Sequence, residues 1–275
     1  MARHKFKLGG RSLFLGAIAL FWAIVLSAHA TIATPKPTVA PPAAASIEQV
    51  LAKLPPPRPH PLPPTLAQSS TPSGDYFDQV QSTIVGALVW TNFPVTVYVQ
   101  PETPADQANP FLQKRSQAWI AAAQRAVQEW NSILPLAIVT QPETADITIW
   151  RSTPPLRIES SKNTAGDRRL PIPRARSAET RYEFYAKSSP APGQPAKLAH
   201  RMTIYIRPDQ SADYLQAAAR HELGHAIGIW GHSPNQSDAL YFSQVRNPAN
   251  ISSRDINTLR RVYEQPTRLG WQMSH

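Results

Sequence analysis

The chain has 275 residues, 29 prolines, no cysteine and a formal charge of +10. That length supports one substantial core, and the missing cysteine excludes a disulfide scaffold, thiol catalysis and thiolate metal ligation. Four of the 28 basic residues fall in the first thirty, so the remainder carries 24 against 18 acidic residues, a net of +6. It is mildly basic and shows no nucleic-acid motif, so no nucleic-acid partner is expected.

The N-terminus opens with Arg3, Lys5, Lys7 and Arg11, followed by an apolar run over 13–26 and then Ala28-His29-Ala30. A basic start, an apolar middle and a small-x-small end make residues 1–30 a secretory signal peptide. Kept uncleaved, 12–30 would be an anchor helix just able to cross about 30 Å of hydrocarbon, tethering the protein to a membrane. Both readings place the rest of the chain outside the cytoplasm, secreted or in a periplasm. Residues 31–74 hold Pro35-Lys36-Pro37, Pro41-Pro42, Pro55-Pro56-Pro57 and Pro63-Pro64. Proline fixes φ and removes a donor, so this stretch is expected to be an extended, disordered tether, with one short helix at 45–54.

The folded domain is expected over 75–275. A β-branched run predicts a strand at 95–99. Trp119, Ile120, Ala123, Ala126, Val127 and Trp130 recur at three- and four-residue steps, which predicts a core-facing helix over 110–133. Strands are expected at 146–150, 182–185 and 202–206, and a helix at 212–229. A last helix opens at Ser252 or Ser253 and runs to about 264. Ser252 with Asp255 three residues on has the form of a capping box. The Arg-rich stretch 151–176 is expected to be a solvated loop that could favour anionic partners. Strands and helices in this order indicate an α+β fold built on one mixed sheet.

The chemistry lies in the 212–229 helix, at His221-Glu222-Leu223-Gly224-His225. Positions i and i+4 share a helix face, so two imidazoles can reach one zinc ion, with Glu222 placed to work on a zinc-held water as general base. A third ligand is required. Gly228 can turn the chain out of the helix and bring His232 back to the ion. Of eight histidines, three fall within these twelve residues.

The stretch 221–232 (HELGHAIGIWGH) resembles the metzincin signature His-Glu-x-x-His-x-x-Gly-x-x-His. RAVQEWNSILPLAIV at 125–139, ADITIW at 145–150, the segment 237–241 (SDALY) and ISSRDINTLRRVY at 251–263 resemble the first helix, a strand, the Met-turn and the last helix of the matrixin branch. The resemblance covers about 90–263 with gaps. It implies a metzincin-like α+β domain with a mixed twisted sheet, a zinc-binding active-site helix and a C-terminal helix. It also implies a metalloendopeptidase that hydrolyses peptide bonds in proteins or peptides. His221, His225 and His232 would be the ligands and Glu222 the base, and the strand at 202–206 would lie above the zinc and pair with an extended substrate. The sequence departs from the family pattern in three ways. His232 comes one residue late, with Gly231 in its place. Leu240 stands where the Met-turn has methionine. No cysteine is present to act as a latency switch. Gly231 is expected to absorb the extra residue through its conformational freedom. No acidic run suited to calcium is evident, so one metal is expected.

Other readings are open at this stage. A catalytically inactive, zinc-supported binding module at the cell envelope is one. A site using Glu264 in place of His232 is another. Tyr205 or Tyr241 could assist the oxyanion, Trp230 is expected to pack beneath the turn, and Arg220 is expected to be a solvated helix residue. Oligomeric state has no signature in the sequence.

Overall fold

The computed structural model describes residues 53–69, 71–155, 176–188 and 193–273. The leader, residues 31–52 and most of the basic stretch 151–176 lie outside the described residues.

Five strands form one sheet: β1 (Val95–Val99), β2 (Leu136–Val139), β3 (Ile147–Trp150), β4 (Ala178–Lys187) and β5 (Lys197–Ile206). Their spatial order is β2-β1-β3-β5-β4. β1 runs parallel to β2 and β3, β3 runs parallel to β5, and β4 alone is antiparallel, on β5. The protein is therefore α+β with a mostly parallel five-stranded sheet. The register from Ala178↔Ile206 to Lys187↔Lys197 pairs β4 and β5 along their full length. This corrects one expectation. The strand at 202–206 is internal, with β3 on one side and β4 on the other, so its backbone is already engaged. The edge strand beside it is β4.

Helix α1 (Pro64–Ala67) and helix α2 (Pro104–Gln107) are single turns, while α3 (Pro110–Asn131) spans 22 residues. Asn109 caps α3 by accepting from Phe111 N and Leu112 N, and Pro110 needs no amide partner at the first position. The apolar stripe buries Trp119, Ala122, Ala123, Ala126, Val127 and Trp130. Helix α4 (Ala212–Ala226), capped by Ser211, packs against it. Trp130 Nε1 donates to Arg220 O at 2.8 Å, and Arg220 grips Glu129 through Nε at 2.6 Å and Nη2 at 2.8 Å. Arg220 is buried, 5% exposed, not solvated as its sequence position suggested. Helix α5 (Ser253–Tyr263) opens with the anticipated capping box, Ser252 and Asp255 each accepting from the other's backbone amide.

The Pro-rich segment from Lys53 onward is packed. Leu66 is fully buried in the core. Arg58 and Thr267 exchange backbone hydrogen bonds at 3.0 and 3.1 Å, and Asn257 on α5 binds Thr71 and Gly74. The prolines remove donors, and among the remaining amides Arg58 N finds Thr267 O in the C-terminal tail and Thr71 N finds Asn257 Oδ1. No helix among the described residues is long and apolar enough to cross a membrane.

Candidate metal centre

Helix α4 carries the first two histidines and ends sooner than its apolar pattern suggests, at Ala226. Gly228 (φ +139°) stops it. Gly228 N donates to His225 O at 3.1 Å, and Ile229 N donates to Gly224 O at 3.0 Å. These are the two bonds of a Schellman motif, which a glycine at this position permits. A side chain on Gly228 would also meet Leu88 O at 3.1 Å. The chain reverses here and brings His232 back to the helix.

One ligand atom from each of His221, His225 and His232 lies within 4.8 Å of the others, so the group can hold a metal ion. The Nε2 atoms of His221 and His225 are 3.1 Å apart. His221 Nδ1 meets Ala239 O at 2.9 Å, and His225 Nδ1 meets Ile229 O at 2.7 Å. A carbonyl only accepts, so each ring donates from Nδ1 and presents Nε2 to the site. Such outer hydrogen bonds fix tautomer and orientation in metal-ligating histidines. The ring of His232 stacks on His221 at 5.2 Å and meets His225 edge-on at 4.8 Å, while its outer face stays exposed.

Electrostatics favour the neutral imidazole at His225 and His232. Burial pushes His225 well below its ordinary pKa, and the neighbouring His221 and His232 add to this. For His232, loss of water on its packed side comes first, then the charges of His221 and Arg176, and its pKa falls to about 4. Neutral nitrogen is the form a metal requires.

Glu222 is 8% exposed. Its Oε2 accepts from the Thr180 hydroxyl at 2.6 Å. Burial raises its pKa, the His221 charge and the Thr180 hydroxyl oppose that rise, and Glu179 adds to it. It lines a cleft of about 570 Å³ together with Gln81, Thr180, His225, Trp230 and His232. A second hollow of about 190 Å³ adjoins His221 and Glu222, walled by Tyr214, Ala218, Val245 and Tyr241. Phe242, 64% exposed, borders both spaces.

Beneath the histidines, Leu240 is fully buried and packs on Gly224 so closely that a Cβ there would lie 2.5 Å from Leu240 Cδ2. The turn that holds Leu240 is fixed by charged hydrogen bonds. Asp238 accepts from Ser233 Oγ at 2.5 Å, Ser252 Oγ at 2.7 Å and Arg254 Nε at 3.1 Å. Asp255 accepts from Ala239 N at 2.9 Å and from the Tyr76 hydroxyl.

The four residues named from sequence are thus brought together. Glu264 is not: its carboxylate pairs with Arg260 at 3.2 Å on the surface, 42% exposed. Tyr241 lines the smaller hollow, whereas Tyr205 lines neither space and instead faces the Arg181 guanidinium. Trp230 lies edge-on to Tyr182 and to His225, in the cleft wall. Gly231 also differs from expectation, since it is not among the positive-φ glycines. Its missing side chain makes room for another part of the chain, because a Cβ there would sit 2.2 Å from Gln79 O. Thr180 and Gln81 had no sequence signal, lying 42 and 141 positions from Glu222. No family model matches the chain, and a search of the curated proteins finds no match.

Proposed function

We propose that this protein is a zinc-dependent endopeptidase of the metzincin type, matrixin-like, acting outside the cytoplasm on extended peptide segments. The observation that carries this reading is the convergence of three imidazoles with a buried, non-ligating carboxylate one residue after the first. The donor set suits zinc. Two nitrogens about 2.0 Å from a tetrahedral ion lie about 3.3 Å apart, close to the 3.1 Å spacing of His221 and His225. Three protein ligands leave one position open, as in catalytic zinc sites, whereas structural sites are closed by four.

A bound zinc would supply Lewis acidity toward the scissile carbonyl and lower the pKa of water. The chain's own residues do the rest. Glu222 accepts the proton of the attacking water and returns it to the leaving amine. The Thr180 hydroxyl holds that carboxylate toward the cleft. Burial raises its proton affinity, which suits a base that must later act as an acid. The cleft along β4 accommodates an extended chain, and the hollow beside Tyr241 is sized for one side chain.

Purified protein is expected to contain one zinc per chain. Glu222→Gln is expected to retain the zinc and lose peptide hydrolysis by several orders of magnitude. Full activity in Glu222→Gln would sink the mechanism. Stoichiometric zinc in the unaltered protein with no cleavage across a peptide library would favour the catalytically inactive binding module at the cell envelope.

A further inference from the structure

We infer that residues 79–81 form a positioning strap that holds His232 in the metal site. This inference rests on the metal reading above.

His232 follows a turn one residue longer than the family signature, and a longer turn is freer unless something fixes it. The fixing element comes from far upstream. Val80 and Gly231 form an antiparallel bridge, and Gln81 N donates to Trp230 O at 2.9 Å. The Gln79 carbonyl lies directly over Gly231, in the space a side chain would fill. The strap is itself anchored on its N-terminal side, where Tyr76 N donates to Thr258 Oγ1 at 3.0 Å and Asp75 pairs with Arg261 at 2.9 Å.

The turn 229–232 does two jobs. Ile229 O receives the His225 Nδ1 proton, and two residues after the Val80–Gln81 pairing begins at Trp230 the chain presents His232. His225 is buried and held by its helix. His232 stands at the rim with an exposed face, and among the described residues its ring nitrogens make no hydrogen bond. Its place is therefore set by its backbone, and that backbone is set by the strap. Gly231 is required for close approach between two chain segments, and this is how the additional residue is accommodated.

The test is zinc affinity, read by competition with a chromophoric chelator on the full chain, with cobalt absorption as a second readout. Four proteins are compared: unaltered, Gly231→Ala, His232→Ala and the double variant. Gly231→Ala is expected to weaken zinc by about ten- to a hundredfold, as outer-shell substitutions do. Its cobalt spectrum is expected to match that of His232→Ala. In the His232→Ala background the same Gly231→Ala change is expected to have no further effect on affinity, because the group it positions is gone. Gln81→Pro removes the amide that binds Trp230 O, together with a side chain that lines the cleft, and Val80 is already extended as a residue before proline must be (φ −85°, ψ 128°). It is expected to fall between the unaltered protein and Gly231→Ala. Equal affinity in Gly231→Ala and the unaltered protein would overturn the strap role. So would an equal loss in both backgrounds, which would mean general loosening. An unaltered protein that takes up no zinc would instead remove the metal reading itself.

Discussion

Gly224 lies between His221 and His225 in α4, and replacing it with alanine sets two effects of opposite sign against each other. Helix propensity alone favours alanine over an interior glycine by about 1 kcal/mol. The new Cβ, however, would lie 2.5 Å from Leu240 Cδ2, 3.1 Å from Cδ1 and 3.2 Å from Cγ. Leu240 is fully buried, and its turn is fixed through Asp238 and Asp255, so the side chain has nowhere to swing. Overpacking of this kind costs about 1–3 kcal/mol. Packing wins, and Gly224→Ala is expected to lose about 1 kcal/mol net of propensity. Leu240→Ala alone should cost about 2–5 kcal/mol. In the double variant the Cβ at 224 enters the vacated space, so the two losses should fall short of additivity by about 1–2 kcal/mol. Urea denaturation of the four metal-free full-length proteins at one pH measures this. Additive losses, or a Gly224→Ala protein stabilised by the full propensity gain, would refute the contact and with it the account of Leu240 as the floor of the site.

The remaining predictions concern charge. His200 is buried with its pKa lowered to about 3, His232 is lowered to about 4, and His225 lies well below its ordinary value, burial leading in each case. Unfolded histidine titrates near about 6.5, so the unfolded state binds more protons below that pH. Stability of the metal-free protein should therefore be full above about pH 6.5 and fall as pH drops toward about 4. A urea midpoint unchanged from about pH 8 to 5 would contradict this. Glu129→Ala leaves the Arg220 guanidinium, 6% exposed, with only Ala249 O at 2.7 Å, and should cost about 3–5 kcal/mol in the same assay. Replacing both residues by apolar ones should recover most of that loss. Thr180→Val removes a hydroxyl that lowers the Glu222 pKa, so the acid limb of kcat/KM should move to higher pH with zinc content unchanged. An unmoved limb would mean that Thr180 does not tune the base.

The parts of this molecule that were legible in the sequence are those whose cause is local. The i, i+4 spacing of His221 and His225, the glycine break at 228 and the Ser252–Asp255 box each follow from a few neighbouring residues and backbone geometry. The stripe on α3 follows from periodicity, and its partner Ile120 is only half-buried because it lies at the stripe's margin. What escaped was set by partners distant in the chain. Arg220 looks like any charged residue before a motif until Glu129 arrives from α3. Gly231 looks like a flexible spacer until Gln79 crosses it. Residues 53–74 look unstructured because prolines carry no periodicity, yet Leu66 is buried in the core and the Arg58 backbone pairs with Thr267. Pairing of β5 on both sides depends on sheet order, which strand propensity does not specify.

The meeting of the two ends of the folded unit has a mechanical consequence. Arg58 and Thr267 are joined by reciprocal backbone bonds, Arg268 reaches Pro55 O at 2.6 Å, and the Trp271 ring stacks on His60 at 4.3 Å and meets the Arg58 guanidinium at 4.1 Å. The upstream partners in these contacts, Pro55, Arg58 and His60, all precede Tyr76. Tension applied at Lys53 is therefore borne first by this clasp, in series with and ahead of the segment that pins the metal-binding turn. The clasp acts as a fuse: the chain can be pulled from its N-terminal end without load reaching His232 until the clasp has parted.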